Sequence, residues 1–126
     1  MSSRSARIRN GHVTTSEFKT LRILHDGKVL IGTGNNHGLP DYSHTPNRIY
    51  IKEHHDGTLR EMRVYGSDGF PLVEIGYHPE PRLTGNRHDK VLHYHEFASD
   101  LGRSKAERIT PELREKYGKY LRGYGL

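Results

Sequence analysis

The sequence of 126 residues contains no cysteine and no tryptophan. Without thiols the chain can form neither a disulfide framework nor a thiolate zinc site. Apolar residues are also few, at 32% of the chain against 28% charged residues. A chain of this length can still bury one hydrophobic core, and its alternating apolar segments are not typical of disorder. We therefore expect one globular domain.

Long apolar runs are missing as well. No stretch approaches the roughly 18 consecutive apolar residues of a membrane-spanning helix. The opening segment MSSRSARIRNGHVTTSEFK lacks the apolar block of a signal peptide. We therefore expect a cytoplasmic protein that does not enter a membrane.

The short motifs of several enzyme classes are absent. The chain has no cysteine nucleophile and no Gly-x-Ser-x-Gly, which argues against nucleophilic hydrolysis. Gly32 and Gly34 lack the Gly-Lys-Ser/Thr ending of a phosphate-binding P-loop, and nothing resembles His-Glu-x-x-His. The sequence therefore predicts no cofactor.

Basic residues are in excess, with 20 Lys and Arg against 15 Asp and Glu and a formal charge of +5, and ten histidines can add to this in mild acid. A basic protein attracts anionic partners, of which nucleic acid is the commonest, and we favour RNA over DNA. Two alternatives stay open: the modest charge serves only solubility, or the partner is a protein. The composition does not predict an oligomeric state.

The order of the segments predicts a flexible basic N-terminal arm over residues 1–20 and a single α+β domain over residues 21–126. Residues 21–32 read as a hairpin around Asp26 and Gly27, since Asp-Gly favours tight turns. Residues 32–46 are rich in Gly, Asn and Pro and are expected to form a long loop.

The rest of the domain reads as an antiparallel meander followed by a helix. Strand-like runs cover residues 47–55, 58–65 and 70–78, separated by turns that contain Asp-Gly, and residues 90–97 are the fourth strand. Thr110 and Pro111 are typical of a helix start, and apolar residues then recur at helical spacing up to Gly123. We predict an antiparallel sheet of four to five strands with the C-terminal helix packed on one face.

The turn positions also predict the register of the sheet, because side chains alternate between its faces. If Asp56-Gly57 and Asp68-Gly69 are the turns, two apolar pairs, Ile51 with Met62 and Met62 with Ile75, share one face. The other face then carries two rows, one of Tyr50, Arg63 and Glu74 and one of His54, Leu59 and His78.

The fourth strand, KVLHYHEF, can face either way. In the orientation we favour, Leu92 and Tyr94 enter the core while His93 and His95 join the polar face. In the other, Val91 and Phe97 point inward and the two histidines are buried, which requires a hydrogen-bond partner for each.

The polar face therefore collects residues that move protons and bind phosphate, unlike the Thr, Lys, Glu and Ser of an ordinary solvated face. We predict a metal-independent ribonuclease with His93, His95, His78 and Glu74 as catalytic acids and bases, and Arg63, Lys52 and Tyr50 as the phosphate-binding group. The simpler interpretation is an ordinary solvated sheet face.

Two other readings of these residues stay open. His-x-His on a strand points both imidazoles the same way, so His93 and His95 could bind a metal with His78, His88 or Glu74. Loop residues Asp41, His44 and His37 could join them, although such residues more often form turns. In the second reading the face is a contact surface of a non-catalytic nucleic-acid- or protein-binding module, such as a phage accessory or anti-defence factor.

Three runs, PDYSHTPNRIYIK, VEIGYHPEP and LHYHEF, resemble the C-terminal domain of head-morphogenesis (minor capsid) proteins in prophages of Gram-positive bacteria. The resemblance covers about residues 35–121. It implies a small ribonuclease-like toxin module with a helix and an antiparallel sheet, and His78, His93 and His95 as the functional positions. Here only a short basic arm precedes the domain, so a free-standing phage or mobile-element protein is an equal expectation.

Overall fold

The computed structural model describes residues 2–9, 12–32 and 38–126. These residues form a mixed α+β structure in which a mostly antiparallel sheet is accompanied by short helices, which confirms the predicted class. The strands are β1 (Ser2–Arg9), β2 (His12–Leu24), β3 (Gly27–Gly32), β4 (Tyr42–Ser43), β5 (Ile49–Glu53), β6 (Leu59–Tyr65), β7 (Pro71–Pro79), β8 (Lys90–Glu96) and β9 (Glu107–Arg108). The helices are α1 (Pro81–Thr84), α2 (Pro111–Lys116) and α3 (Gly118–Arg122).

The strands follow the order β4-β1-β2-β3-β5-β6-β7-β8-β9, so the sheet is wider than the predicted meander of four to five strands. All neighbours are antiparallel except β3 and β5, which run parallel. The additional strands lie on both sides of the predicted meander, with β9 beyond β8 and β1 to β4 beyond β5.

The N-terminal segment differs from the predicted flexible arm. Ser2–Arg9 pairs antiparallel with β2 from Ser2 opposite Lys19 to Arg9 opposite His12, and Phe18 is fully buried. The segment His12–Leu24 contains three threonines together with Val13, Phe18 and Ile23, which favour strands. The sequence of residues 2–17 is mostly polar and shows no sustained apolar period, so its pattern did not predict these strands. Residues 1, 10 and 11 of the predicted arm lie outside the described residues.

The predicted hairpin of residues 21–32 is confirmed, but its turn lies one residue earlier than expected. Leu24 pairs with Gly27, so His25 and Asp26 form the turn, and His25 takes the positive φ of 56°. Gly27 is needed for a different reason: a Cβ there would lie 3.3 Å from the Tyr120 ring. Of the long loop predicted after this hairpin, residues 33–37 lie outside the described part.

The pairing of β5 with β6 and of β6 with β7 has the predicted register over residues 49–52 and 61–64. The paired residues form two rows, Ile51–Met62–Ile75–Tyr94 and Tyr50–Arg63–Glu74–His95. Leu92 and Tyr94 pack with the core cluster of Ile51 and Met62, so the favoured orientation of the fourth strand is confirmed.

The second predicted row, of His54, Leu59 and His78, is wrong. The register of β5 and β6 shifts between Lys52 and Glu53, so Glu53 rather than His54 pairs with Leu59. This bulge turns Leu59 into the core cluster, where it is buried. The His54 Nε2 atom instead lies 2.9 Å from the Tyr77 carbonyl oxygen.

Both faces of the sheet are covered. Tyr117, Tyr120 and Leu121 belong to the same buried cluster as Ile51 and Met62. A second buried cluster contains Phe18, Leu30, Leu39, Tyr50 and Tyr65. The predicted polar face is therefore not an ordinary solvated one, because part of it lies under the segment that contains Leu39.

The C-terminal helix begins as predicted but is interrupted. The Thr110 side chain accepts a hydrogen bond from the Leu113 backbone amide at 3.2 Å, and Pro111 starts the helix. The helix stops at Lys116 and resumes at Gly118, a residue that costs about 1 kcal/mol in a helix interior. No helix in the described part of the chain is long and apolar enough to span a bilayer.

Candidate functional site: a histidine cluster

Three predicted site residues, His78, His93 and His95, come together on β7 and β8 and form what we call the histidine cluster. His93 lies opposite Gly76, and His95 lies opposite Glu74. The ring centroids of His78 and His93 are 4.5 Å apart, and those of His93 and His95 are 5.5 Å apart, both edge to face. The period-two pattern of the strands thus placed all three side chains on one face, as predicted.

Gly76 provides the space in which these rings meet. A Cβ at this position would lie 2.9 Å from Nε2 of His78 and 3.0 Å from Nε2 of His93. The first distance is shorter than real Cβ atoms show and the second is very tight, so a side chain at residue 76 would force the two imidazoles to move. The Nε2 atoms of the two rings therefore converge over the backbone of β7.

The other nitrogen of each ring faces a backbone carbonyl. Nδ1 of His93 lies 2.7 Å from the Val91 oxygen, and Nδ1 of His95 lies 2.7 Å from the Ser104 oxygen. Nδ1 of His78 lies 3.3 Å from the Pro79 oxygen. A carbonyl can only accept, so these contacts favour the tautomer with the proton on Nδ1, which leaves a lone pair on Nε2.

His93 is the most buried member of the cluster, with no exposed surface. Its Nε2 atom is buried and has no hydrogen-bond partner among the described residues. Buried polar atoms are nearly always paired, so an orphaned lone pair at this position calls for an explanation.

Glu80 is a fourth residue at this site, which the sequence analysis did not select. One donor atom from each of Glu80, His93 and His95 lies within 4.8 Å of the other two. Glu80 follows His78 by two residues, at the end of β7, and is half-buried. The alternation of side chains along YHPE was the signal that could have identified it.

The environment of the site shifts the proton affinities of its groups in opposite directions. Burial lowers the pKa of His78 and of His93, and for His93 the neighbouring imidazoles act in the same sense. Glu61, which lies opposite Gly76, is also affected: burial and the nearby Glu74 carboxylate raise its pKa. The lowered pKa values of His78 and His93 favour neutral imidazoles at neutral pH, while Glu61 retains its proton to a higher pH than usual.

Glu74, predicted to be catalytic, is held in a buried ion pair. Its side chain is 1% exposed and accepts hydrogen bonds from Arg63 Nε at 2.7 Å and from Arg103 Nη1 at 3.0 Å. Although burial alone would raise the pKa of Glu74, the two guanidinium groups outweigh it and lower the pKa. This carboxylate neutralises buried arginine and is not placed to accept a proton from a substrate.

The predicted phosphate-binding group is not assembled either. Arg63 is buried and donates through Nη1 to the carbonyl oxygens of Leu39 at 3.3 Å and Pro40 at 3.0 Å. Tyr50 is 2% exposed, and its hydroxyl lies 3.1 Å from Ser43 Oγ. Tyr50 belongs to the second buried cluster, and Arg63 binds the backbone of the segment that contains Leu39 and Pro40. Only Lys52 lies partly at the surface.

The loop residues considered as additional metal ligands lie elsewhere. Asp41 Oδ1 is 3.9 Å from Arg63 Nη1, and the His44 ring packs against Tyr42 at 5.4 Å. His88 lies in an exposed turn after α1, and His37 is outside the described residues. Within the described ranges, only Glu80, His93 and His95 form a group with metal-ligand spacing.

Two arginines lie near the histidine cluster, and Arg60 is close enough to His78 to interact with it electrostatically. Arg108 lies opposite His93 on β9, and both Arg108 and Arg60 are exposed. Arg60 also lines a cleft of about 520 Å³ together with Lys52. Lys52 belongs to the row of paired residues that continues through Glu61 and Gly76 to His93. An anionic chain that lay along this row would therefore meet positive charge on both sides of the histidines.

The function of the site has to be inferred from this geometry. The resemblance to head-morphogenesis proteins stays a prediction. No protein-family model, curated protein or solved structure matches the chain.

Proposed function

We propose that the histidine cluster is the catalytic centre of a small ribonuclease. The observation that carries the proposal is the convergence of imidazole Nε2 lone pairs over Gly76, with each Nδ1 facing a backbone carbonyl. Imidazoles oriented in this way are suited to accept a proton from a substrate hydroxyl.

His78 is the general base in this proposal. It is half-buried, so its Nε2 can reach a substrate, whereas His93 is enclosed. His78 removes the proton of a ribose 2′-hydroxyl, and the 2′-oxygen attacks the adjacent phosphorus. The bond from phosphorus to the 5′-oxygen breaks, and this oxygen takes a proton as it leaves.

Glu61 is the proton donor for the leaving oxygen. Glu61 pairs with Gly76, which in turn pairs with His93, so Glu61 lies on the opposite side of Gly76 from His93. Burial and the neighbouring Glu74 raise the pKa of Glu61, which favours the protonated carboxyl that a general acid needs. Glu61 takes the place of Glu74, whose carboxylate is committed to Arg63 and Arg103.

Exposed arginines supply the attraction for the RNA backbone. Arg108 lies opposite His93, and the exposed Arg60 interacts electrostatically with His78. They replace the predicted group of Arg63 and Tyr50, which is buried and bonded to the protein itself.

A non-catalytic nucleic-acid- or protein-binding module is the second candidate. One observation favours it: Glu74, predicted to be catalytic, and Arg63, predicted to bind phosphate, form a buried ion pair that stabilises the fold. In that case the exposed arginines bind RNA or a protein partner, and the histidines take no part in chemistry.

Incubation with a fluorophore-labelled single-stranded RNA tests the proposal. We expect cleavage by the wild-type protein and a loss of 10²- to 10⁴-fold in rate for His78→Ala, the usual contribution of general base catalysis. A matched oligonucleotide with one 2′-deoxy position should resist cleavage there, because the attacking hydroxyl is absent.

His44→Ala is the matched control, because His44 is exposed and packs on Tyr42 away from the histidine cluster. This variant should cleave at the wild-type rate. Intact RNA that is nevertheless retained by the wild-type protein in a binding assay would overturn the catalytic proposal and support the binding module.

A further inference from the structure

The Nε2 atom of His93 has a lone pair that no described protein group uses, and a bound cation could accept it. Nδ1 of this ring already donates to the Val91 carbonyl, and Nε2 is buried without a protein partner in the part of the chain that the structure describes. A metal ion takes up such a lone pair directly.

His93 and two neighbouring side chains form a set of donors that metals use. Glu80, His93 and His95 each bring one donor atom within 4.8 Å of the other two. Two histidines and one glutamate, with a fourth position open to water, are the ligands of many catalytic zinc sites.

The outer contacts of the histidines also fit a metal site. Metal-binding histidines usually donate their second ring N–H to a carbonyl or a carboxylate, which fixes the tautomer and the ring orientation. His93 and His95 do this with the carbonyls of Val91 and Ser104, both at 2.7 Å. The rings are thus oriented by the protein before any ion binds.

We infer that Glu80, His93 and His95 bind one divalent transition-metal ion, and Zn²⁺ fits this donor set best. Ligands about 2.1 Å from a tetrahedral zinc lie about 3.4 Å from one another, so the donors must approach by little more than about 1 Å. Glu80 can supply this movement, since its side chain makes no capping hydrogen bond to α1.

The binding of the ion does not depend on the proposed ribonuclease, but its use there rests on that function. Bound beside His78, the ion would polarise a phosphoryl oxygen while His78 removes the proton of the nucleophile. The predicted metal-independent mechanism would then become a metal-assisted one.

Titration of the chelator-treated, full-length protein with Zn²⁺ in a calorimeter tests the inference. We expect one equivalent to bind, and at least a tenfold loss of affinity in Glu80→Gln and in His95→Ala. His44→Ala, at an exposed position away from the histidine cluster, should bind Zn²⁺ like the wild type. Co²⁺ in the same site should give the visible absorption of a tetrahedral complex.

Thermal unfolding distinguishes a variant that has lost the metal site from one that does not fold. Zn²⁺ should raise the Tm of the wild-type protein and leave that of Glu80→Gln unchanged, because an ion stabilises only a native state that binds it. The inference is overturned if no equivalent of Zn²⁺ binds. It is equally overturned if the Glu80→Gln and His95→Ala variants bind as tightly as the wild type, since the ten histidines of the chain then bind zinc adventitiously.

The two proposals fail separately. Zinc binding that requires Glu80 and His95, together with intact RNA, would leave the metal site standing and remove the ribonuclease. Cleavage of RNA in excess chelator by a protein that binds no Zn²⁺ would do the reverse.

Discussion

Glu74 illustrates how much a single residue's role depends on its surroundings. A glutamate beside an arginine and a histidine on a sheet face is typical of a catalytic acid or base. Here the carboxylate is 1% exposed and accepts hydrogen bonds from Arg63 and Arg103. Its charge offsets a buried guanidinium group, so we assign it to the stability of the fold.

Replacing this carboxylate should therefore reduce stability. Glu74→Gln removes the nearest counter-ion of the buried Arg63, and removal of one partner of a buried ion pair typically costs about 3–5 kcal/mol. Urea unfolding followed by circular dichroism measures the free energy. Glu115→Gln, at an exposed position of α2, is the control and should change the free energy of unfolding by less than about 0.5 kcal/mol. An unchanged stability for Glu74→Gln would return this residue to the list of catalytic candidates.

At the scale of the elements, the two turns of the meander look alike in the sequence but have different neighbours. Gly57 and Gly69 end Asp-Gly pairs and have φ of 85° and 86°. A Cβ at Gly57 would meet nothing within 4 Å. At Gly69 it would collide with the Ser43 carbonyl oxygen and lie 2.6 Å from the Tyr42 ring, because β4 lies against this turn.

The two glycines form a matched pair for mutagenesis. Gly57→Ala should cost about 1–2 kcal/mol, the penalty of a left-handed conformation alone. Gly69→Ala should cost a further 1–3 kcal/mol or so, because the backbone of β4 must also move. Chemical denaturation of both variants measures the difference. Equal costs would mean that β4 does not pack on the turn, although the Ser43 amide donates to the Gly69 carbonyl at 2.8 Å.

At the scale of the whole molecule, the sheet buries apolar residues on both faces. Leu121 of α3 is 1% exposed in the cluster with Ile51, and Leu39 is 2% exposed in the cluster with Tyr50. Ile51 and Tyr50 are neighbours on β5 and therefore point to opposite faces. The segment around Leu39 is thus a covering layer and not a solvated loop.

Truncating one leucine on each face tests this arrangement. Leu39→Ala and Leu121→Ala should each cost about 2–5 kcal/mol, since each leaves a cavity in a packed cluster. In the double variant the costs should add within about 0.5 kcal/mol, because the sheet separates the two sites. Equilibrium unfolding in urea gives all three values. A cost near zero for Leu39→Ala would restore the picture of a solvated polar face.

The sequence by itself determined the mixed α+β class, the register of β5 to β7 and the face of β8 that enters the core. Turn positions and complementary pairs act between neighbouring strands, so the pairing of Arg63 with Glu74 was readable, and with it the face of His93 and His95. The start of the C-terminal helix was readable for the same reason, since Thr110 acts within one turn.

Only the tertiary structure decided what covers each face and which polar groups are left without a partner. The burial of Arg63 and Glu74 depends on Leu39, Pro40 and Arg103, which are remote in the sequence, and a strand pattern carries no information about such contacts. The bulge after Lys52 likewise moved Leu59 into the core against the simple alternation. For the same reason Glu80 could be joined to His93 and His95 only once β7 and β8 were paired, because a group of metal ligands is defined by distances in space.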